Sequence, residues 1–130
     1  MKKQYLVTRE QLDRAIDNYL TLKMKDSKVV IRQNKYSDTT FLNAFIDSKG
    51  DVIFILIQYG DQTLNGVTVQ EGMNSLKIDE SLVAFFTTHL GVRKHKAVDI
   101  ISDWFQETYD FDFEEVEVYD NLKSILRGWS

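Results

Sequence analysis

Val52-Ile53-Phe54-Ile55-Leu56-Ile57-Gln58-Tyr59 is apolar at every position through Ile57. It lacks the two-residue alternation of a half-exposed strand. A run this short, rich in β-branched and aromatic residues, reads as a strand buried on both faces. Both faces then need cover, and the amphipathic segments on either side in sequence are the candidates for it.

Upstream, Thr8-Arg9-Glu10-Gln11 has the form of a capping box, and Val7 and Leu12 have the spacing of a hydrophobic staple. Leu12, Ile16, Tyr19 and Leu20 fall on one helical face, which predicts a helix over Arg9 to Lys23. Lys23 and Lys25 suit the negative end of its dipole. Lys28 to Arg32 reads as a strand. Thr39 to Ile46 reads as the next, with Leu42, Ala44 and Ile46 on one face and Phe41, Asn43 and Phe45 on the other. Asp47-Ser48-Lys49-Gly50 is a hairpin signal, so the Val52 strand pairs antiparallel with its predecessor.

Downstream, Gly60 ends the central strand, and Val67-Thr68-Val69 reads as a short strand between Gly66 and Gly72. Those glycines do not make a phosphate loop, since no Gly-Lys-Ser/Thr follows them. Asp79 is a good N-cap for a helix to Leu90 with Leu82, Phe85, Phe86 and Leu90 as its buried stripe. Gly91 stops it. A second helix, roughly Arg93 to Tyr109, carries Ala97, Ile100, Ile101, Trp104 and Phe105 on its apolar face. Phe113 to Tyr119 returns to strand character, with Val116 and Val118 facing one way and Glu115 and Glu117 the other, as suits a sheet edge. Asn121 caps a last short helix carrying Leu122, Ile125, Leu126 and Trp129. Such a tail is either folded back on the body or offered to a protein partner. The expectation is a single α+β domain over residues 1–130. An antiparallel sheet of about four strands packs with an N-terminal helix and a C-terminal helical hairpin, and residues 121–130 form a docking tail.

Composition narrows the function. The chain has 130 residues, 43% hydrophobic and 12% aromatic, enough to build one core and to argue against global disorder. No apolar run approaches the ~20 residues of a membrane span, and the basic N-terminus is not followed by the apolar stretch of a secretory signal. The absence of cysteine removes disulfides, thiol catalysis and sulfur-ligated zinc, and fits a reducing compartment. The net charge of −4 conceals an asymmetry. Through Tyr36 there are nine Lys/Arg and four Asp/Glu; from Ser37 onward there are seven and sixteen. Charges separated in this way attract within a fold or between copies of it.

Three constellations bear on chemistry. Asp99, Asp103 and Glu107 recur every four residues on one helical face, with Asp110, Asp112 and Glu114 close behind. Clustered carboxylates suit a divalent cation, but the calcium-loop pattern is missing and a single line of acids reads more simply as a solvated face. His89 and His95 flank the Leu90-Gly91 turn and lack an obligatory third ligand for zinc. No serine elbow or other nucleophile signature is present, and no cofactor motif.

Thr87-Thr88-His89-Leu90-Gly91-Val92-Arg93-Lys94-His95-Lys96-Ala97 resembles the turn of a helix-turn-helix. In that family a Leu-Gly-Val precedes the recognition helix, and Ala97 stands where a small residue is expected. The resemblance implies DNA contacts from Arg93, Lys94 and Lys96. Thr87 departs from the family's alanine, and the helix then turns acidic, which opposes a phosphate backbone. Together these features support a small, non-catalytic, cytoplasmic protein-interaction module of accessory, regulatory or assembly type, with a protein partner or a second copy as its ligand. Its cysteine- and proline-free character suits a phage or mobile-element protein. The alternatives are a helix-turn-helix-like DNA binder using the 82–109 helix pair, and a metal-dependent enzyme.

Overall fold

Two reciprocal hydrogen bonds start the first helix, α1 (Arg9–Lys23): the Gln11 amide donates to Thr8 Oγ1 at 3.2 Å and the Thr8 amide to Gln11 Oε1 at 2.9 Å. The capping box is therefore formed. The structure, a computed structural model, describes residues 8–70 and 72–129, so Val7 of the expected staple lies outside the described residues. Strands β1 (Lys28–Asn34), β2 (Ser37–Ile46) and β3 (Val52–Tyr59) follow as an antiparallel meander. Between β2 and β3, Asp47 Oδ1 accepts the amides of Lys49 and Asp51, each at 3.0 Å, and Gly50 takes the expected left-handed conformation at φ +90°.

Next comes a hairpin, β4 (Asp61–Leu64) with β5 (Val67–Gln70), that among the described residues pairs only with itself. Its turn is Asn65-Gly66, with φ of 52° and 79°. Two consecutive left-handed residues make the type I′ turn whose twist matches the strands it joins, and Asn-Gly is the dipeptide that adopts it most readily. The chain then forms β6 (Ser75–Asp79), α2 (Glu80–Leu90), α3 (Lys94–Tyr109), β7 (Glu115–Tyr119) and α4 (Leu122–Arg127).

Among the described residues the main sheet has five strands in the order β1-β2-β3-β6-β7, so β3 is its middle strand. All six residues from Val52 to Ile57 are at most 7% exposed. The fold is α+β as expected, but the sheet differs from the antiparallel four in two respects. β6 is an additional strand, and β7 runs parallel to it. The direction follows from the connection. The connection through α2, α3 and the segment after them returns the chain to the end where β6 began, so β7 starts where β6 starts.

Each face of the sheet has its own core. Phe45, Phe54, Leu56, Leu76 and Ile78 pack under α1, α2 and α3; we call this the helix face. Leu42, Ala44, Ile46, Ile55 and Ile57 pack under Leu122 at the start of α4, on the tail face. The two sets from β2 alternate residue by residue, as the pleat requires. α1 is bound to α3 by a hydrogen bond from Trp104 Nε1 to Thr21 Oγ1 at 3.3 Å. At its other end α1 is bound to the β2–β3 turn by Lys23 Nζ, 3.2 Å from Asp47 Oδ2. On α2 one expectation fails: Leu90 is 38% exposed and does not continue the buried stripe. It is the last helical residue before Gly91, whose left-handed conformation at φ 63° ends α2. No helix among the described residues is long and apolar enough to cross a membrane.

Candidate functional site

The C-terminal tail is folded back. Asn121 Oδ1 accepts the Ser124 amide at 3.2 Å and caps α4. Leu122 is 2% exposed, inserted among the aliphatic side chains of β2 and β3. Ile125, Leu126 and Trp129 are partly buried against the same cluster. These four residues are thus the lid of the second core, whatever else their outer surfaces contact.

The basic turn is on the surface. Arg93, Lys94, His95 and Lys96 are all exposed at the start of α3, while Ala97, Ile100, Ile101, Trp104 and Phe105 bind that helix to the sheet. His89 stacks on Phe85 with ring centroids 4.3 Å apart, and its Nδ1 lies 3.0 Å from the Phe85 carbonyl oxygen. A helix-end histidine held in this way is occupied by its own helix.

Asp99, Asp103 and Glu107 are all exposed along α3, as expected of a solvated face, and the last two also border a seam. Asp103 and Glu107 look across a seam at Asp13 and Asp17 of α1. Burial, then the charges of Asp13, Glu107 and Asp103, push the Asp17 carboxyl above its ordinary value. Among the described residues, no three acidic or histidine side chains gather closely enough to hold a metal ion. A larger crevice of about 380 Å³ opens at the carboxyl ends of β6 and β7. Lys23 and Lys123 line it together with Asp51, Asp79 and Asp120. The alternating signs neutralise one another and do not select an ionic ligand of either charge.

What the fold assembles most distinctively is at the two margins of the sheet. Among the described residues, β1 pairs only with β2, and β7 only with β6, so each presents one open edge. Open edges carry unpaired backbone donors and acceptors. On β1, Val29 and Ile31 lie opposite Phe45 and Asn43 and so belong to the helix face. They are nevertheless 46% and 58% exposed, because the helix layer does not reach over this strand. Lys28 and Arg32, opposite Ile46 and Leu42, are exposed on the tail face. Neither makes an ion pair among the described residues.

The opposite margin has the reverse sign. Glu115 and Glu117 project on the tail face, in register with Ser75 and Lys77 of β6. Lys77 is a nearly buried lysine, with Nζ 3.6 Å from Glu117 Oε1, 3.5 Å from Ser75 Oγ and 4.6 Å from the centre of the Tyr119 ring. The Tyr119 hydroxyl donates to Glu117 Oε2 at 2.8 Å, and this bond, with the carboxylate's charge, holds the phenol above its ordinary pKa. Glu115 is exposed and has no ion-pair partner among the described residues. On the helix face Val116 and Val118 are partly buried against the main core.

Sequence reasoning located both strands and the charge asymmetry. It did not connect them, because adjacency to a sheet margin depends on strand order. The alternation within Lys28-Val29-Val30-Ile31-Arg32 was the available signal. No protein-family model, curated protein or solved structure matches the chain.

Proposed function

We propose that this chain is a non-catalytic interaction module that works in the cytoplasm through protein contacts, chiefly by self-association, as an accessory or assembly factor. One observation carries the reading. Part of the charge asymmetry of the sequence becomes a spatial one, with Lys28 and Arg32 at one margin of the sheet and Glu115 and Glu117 at the other. A monomer whose ends are complementary in charge is steered toward other copies of itself, and salt weakens that steering. The bare apolar side chains of Val29 and Ile31 add surface that gains from being covered.

Sedimentation of the purified chain across protein and salt concentration tests this. The expected result is a mass above the 15.2 kDa of one chain, falling toward that value as salt is raised. A monomer at every concentration in low salt would overturn the reading. Binding of a short DNA duplex at low salt, lost when Lys94→Glu and Lys96→Glu are combined, is the result that would favour the helix-turn-helix alternative instead.

A further inference from the structure

We infer that the contact between copies is a strand pairing, the open edge of β1 in one copy joined to the open edge of β7 in the next; this rests on the self-association proposed above and specifies its surfaces.

Strand directions make the pairing geometrically simple. Successive neighbours from β1 through β6 are antiparallel, and β7 is parallel to β6. β7 therefore runs opposite to β1. A second copy set beside the first, without being turned over, brings its β7 antiparallel to β1 and continues the sheet. The faces also stay in phase. On the tail face, Lys28 and Arg32 meet the acidic side chains of Glu115 and Glu117. On the helix face, exposed Val29 and Ile31 meet Val116 and Val118. Opposite charges and β-branched residues facing each other across strands are the pairs that stabilise a sheet.

The same charges decide against the other two edge pairings. Charged side chains on an exposed edge normally protect it from association. That protection works only between edges of like sign. Two β1 edges, related by a twofold axis, would bring Lys28 and Arg32 against their own copies, and two β7 edges would oppose glutamates. Only the β1-to-β7 combination is unprotected. Specificity of this kind comes from repulsion in the wrong pairings as much as attraction in the right one. The contact is heterologous, so it propagates into a ring or an open chain and does not stop at a dimer.

The test uses two charge variants of the whole chain. Lys28→Glu with Arg32→Glu makes both margins acidic. Glu115→Lys reverses the charge of the exposed, unpaired acid of the β7 margin and leaves the Glu117–Lys77 pair in place. Each variant alone is expected to associate roughly tenfold or more weakly than the native chain at low salt. Mixed in equal amounts they should associate again, since the acidic β1 of one now faces the reversed charge on β7 of the other. Hydrogen exchange on the native chain gives a readout that does not depend on the variants folding. Amides of both β1 and β7 should become slower to exchange as concentration rises. If the native chain associates while protection appears on other elements, or while both variants associate as it does, the edge pairing is overturned and the self-association reading stands. If the native chain never associates, both fall.

Discussion

The two faces of the sheet are built very differently. The helix face is covered by three helices and filled with aromatic rings. Phe45 meets Phe105 edge-on at 4.9 Å and Tyr109 at 4.5 Å, and Phe54 lies 5.0 Å from Phe105. The tail face has aliphatic side chains and one six-residue helix over its middle strands. Large, interlocked rings bury much area per residue and hold specific geometry. A short helix contributes little of its own stability and stays in place only by what it buries. The difference teaches that folding strength resides on one side of β3, while the other side is closed by a lid that can open first.

Breaking the strong face should have the largest effect. Phe105→Ala removes a fully buried ring at the centre of the aromatic cluster, and a loss of about 3–5 kcal/mol is expected in denaturant unfolding. Leu122→Ala breaks the weak face. A global loss of about 2–3 kcal/mol is expected, but hydrogen exchange should show α4 opening well before the helix face does. If α4 and α3 exchange together in that variant, the two faces are not separable and the comparison fails.

The next effect concerns the brace that ties the helix layer to the sheet. Lys23→Met leaves Asp47, whose side chain is 2% exposed, with its backbone amides but without its cation. A cost of about 1–2 kcal/mol is expected. Burial alone would raise the Asp47 carboxyl, but the Asp51 amide, the Lys23 ammonium and the Lys49 amide outweigh it and hold the pKa below its ordinary 3.8. Its contribution to stability is therefore present above that value and is lost as pH falls through the depressed one. Acid unfolding followed in the native chain and in Lys23→Met should show a smaller pH dependence in the variant.

The smallest effect runs in the opposite direction. In the seam between α1 and α3, Asp17 has a raised pKa, so it favours folding when protonated, below the ordinary value, and that advantage disappears as pH rises through the raised one. Asp17→Asn should leave stability at neutral pH unchanged or improve it by about 0.2–1 kcal/mol. A clear destabilisation at neutral pH would mean that the four carboxylates of the seam are attracted by something and do not merely repel.

Much of this was legible in the sequence. The all-apolar run over Val52 to Ile57 marked the middle strand, because only cover on both faces tolerates such a run. The alternation of Leu42, Ala44 and Ile46 with Phe41, Asn43 and Phe45 named the two faces of β2 before any coordinates. The capping box at Thr8, the Asn121 cap and the left-handed Gly91 are local, and local chemistry determines them. Asn65-Gly66 is an equally local signal for a tight hairpin, and it accounts for β4, which the expectation of a lone Val67-Thr68-Val69 strand does not include. Ser75 to Asp79 went unrecognised as a strand because its buried Lys77 interrupts the apolar pattern, and that lysine is tolerated only through Ser75, Glu117 and Tyr119.

Residues 8–129 thus carry within themselves their helices, their capped ends and the two-sided burial of β3, since each depends on side chains a few positions apart. The order of the strands, the parallel placement of β7 and the closing of the second face by Leu122 depend on which distant segments meet. Only the folded chain settles those, because packing area and chain direction, and not spacing, decide them. The charge asymmetry belongs to both levels: its size is a property of the sequence, and the placing of Lys28 and Arg32 at one margin and of Glu115 and Glu117 at the other is a property of the fold.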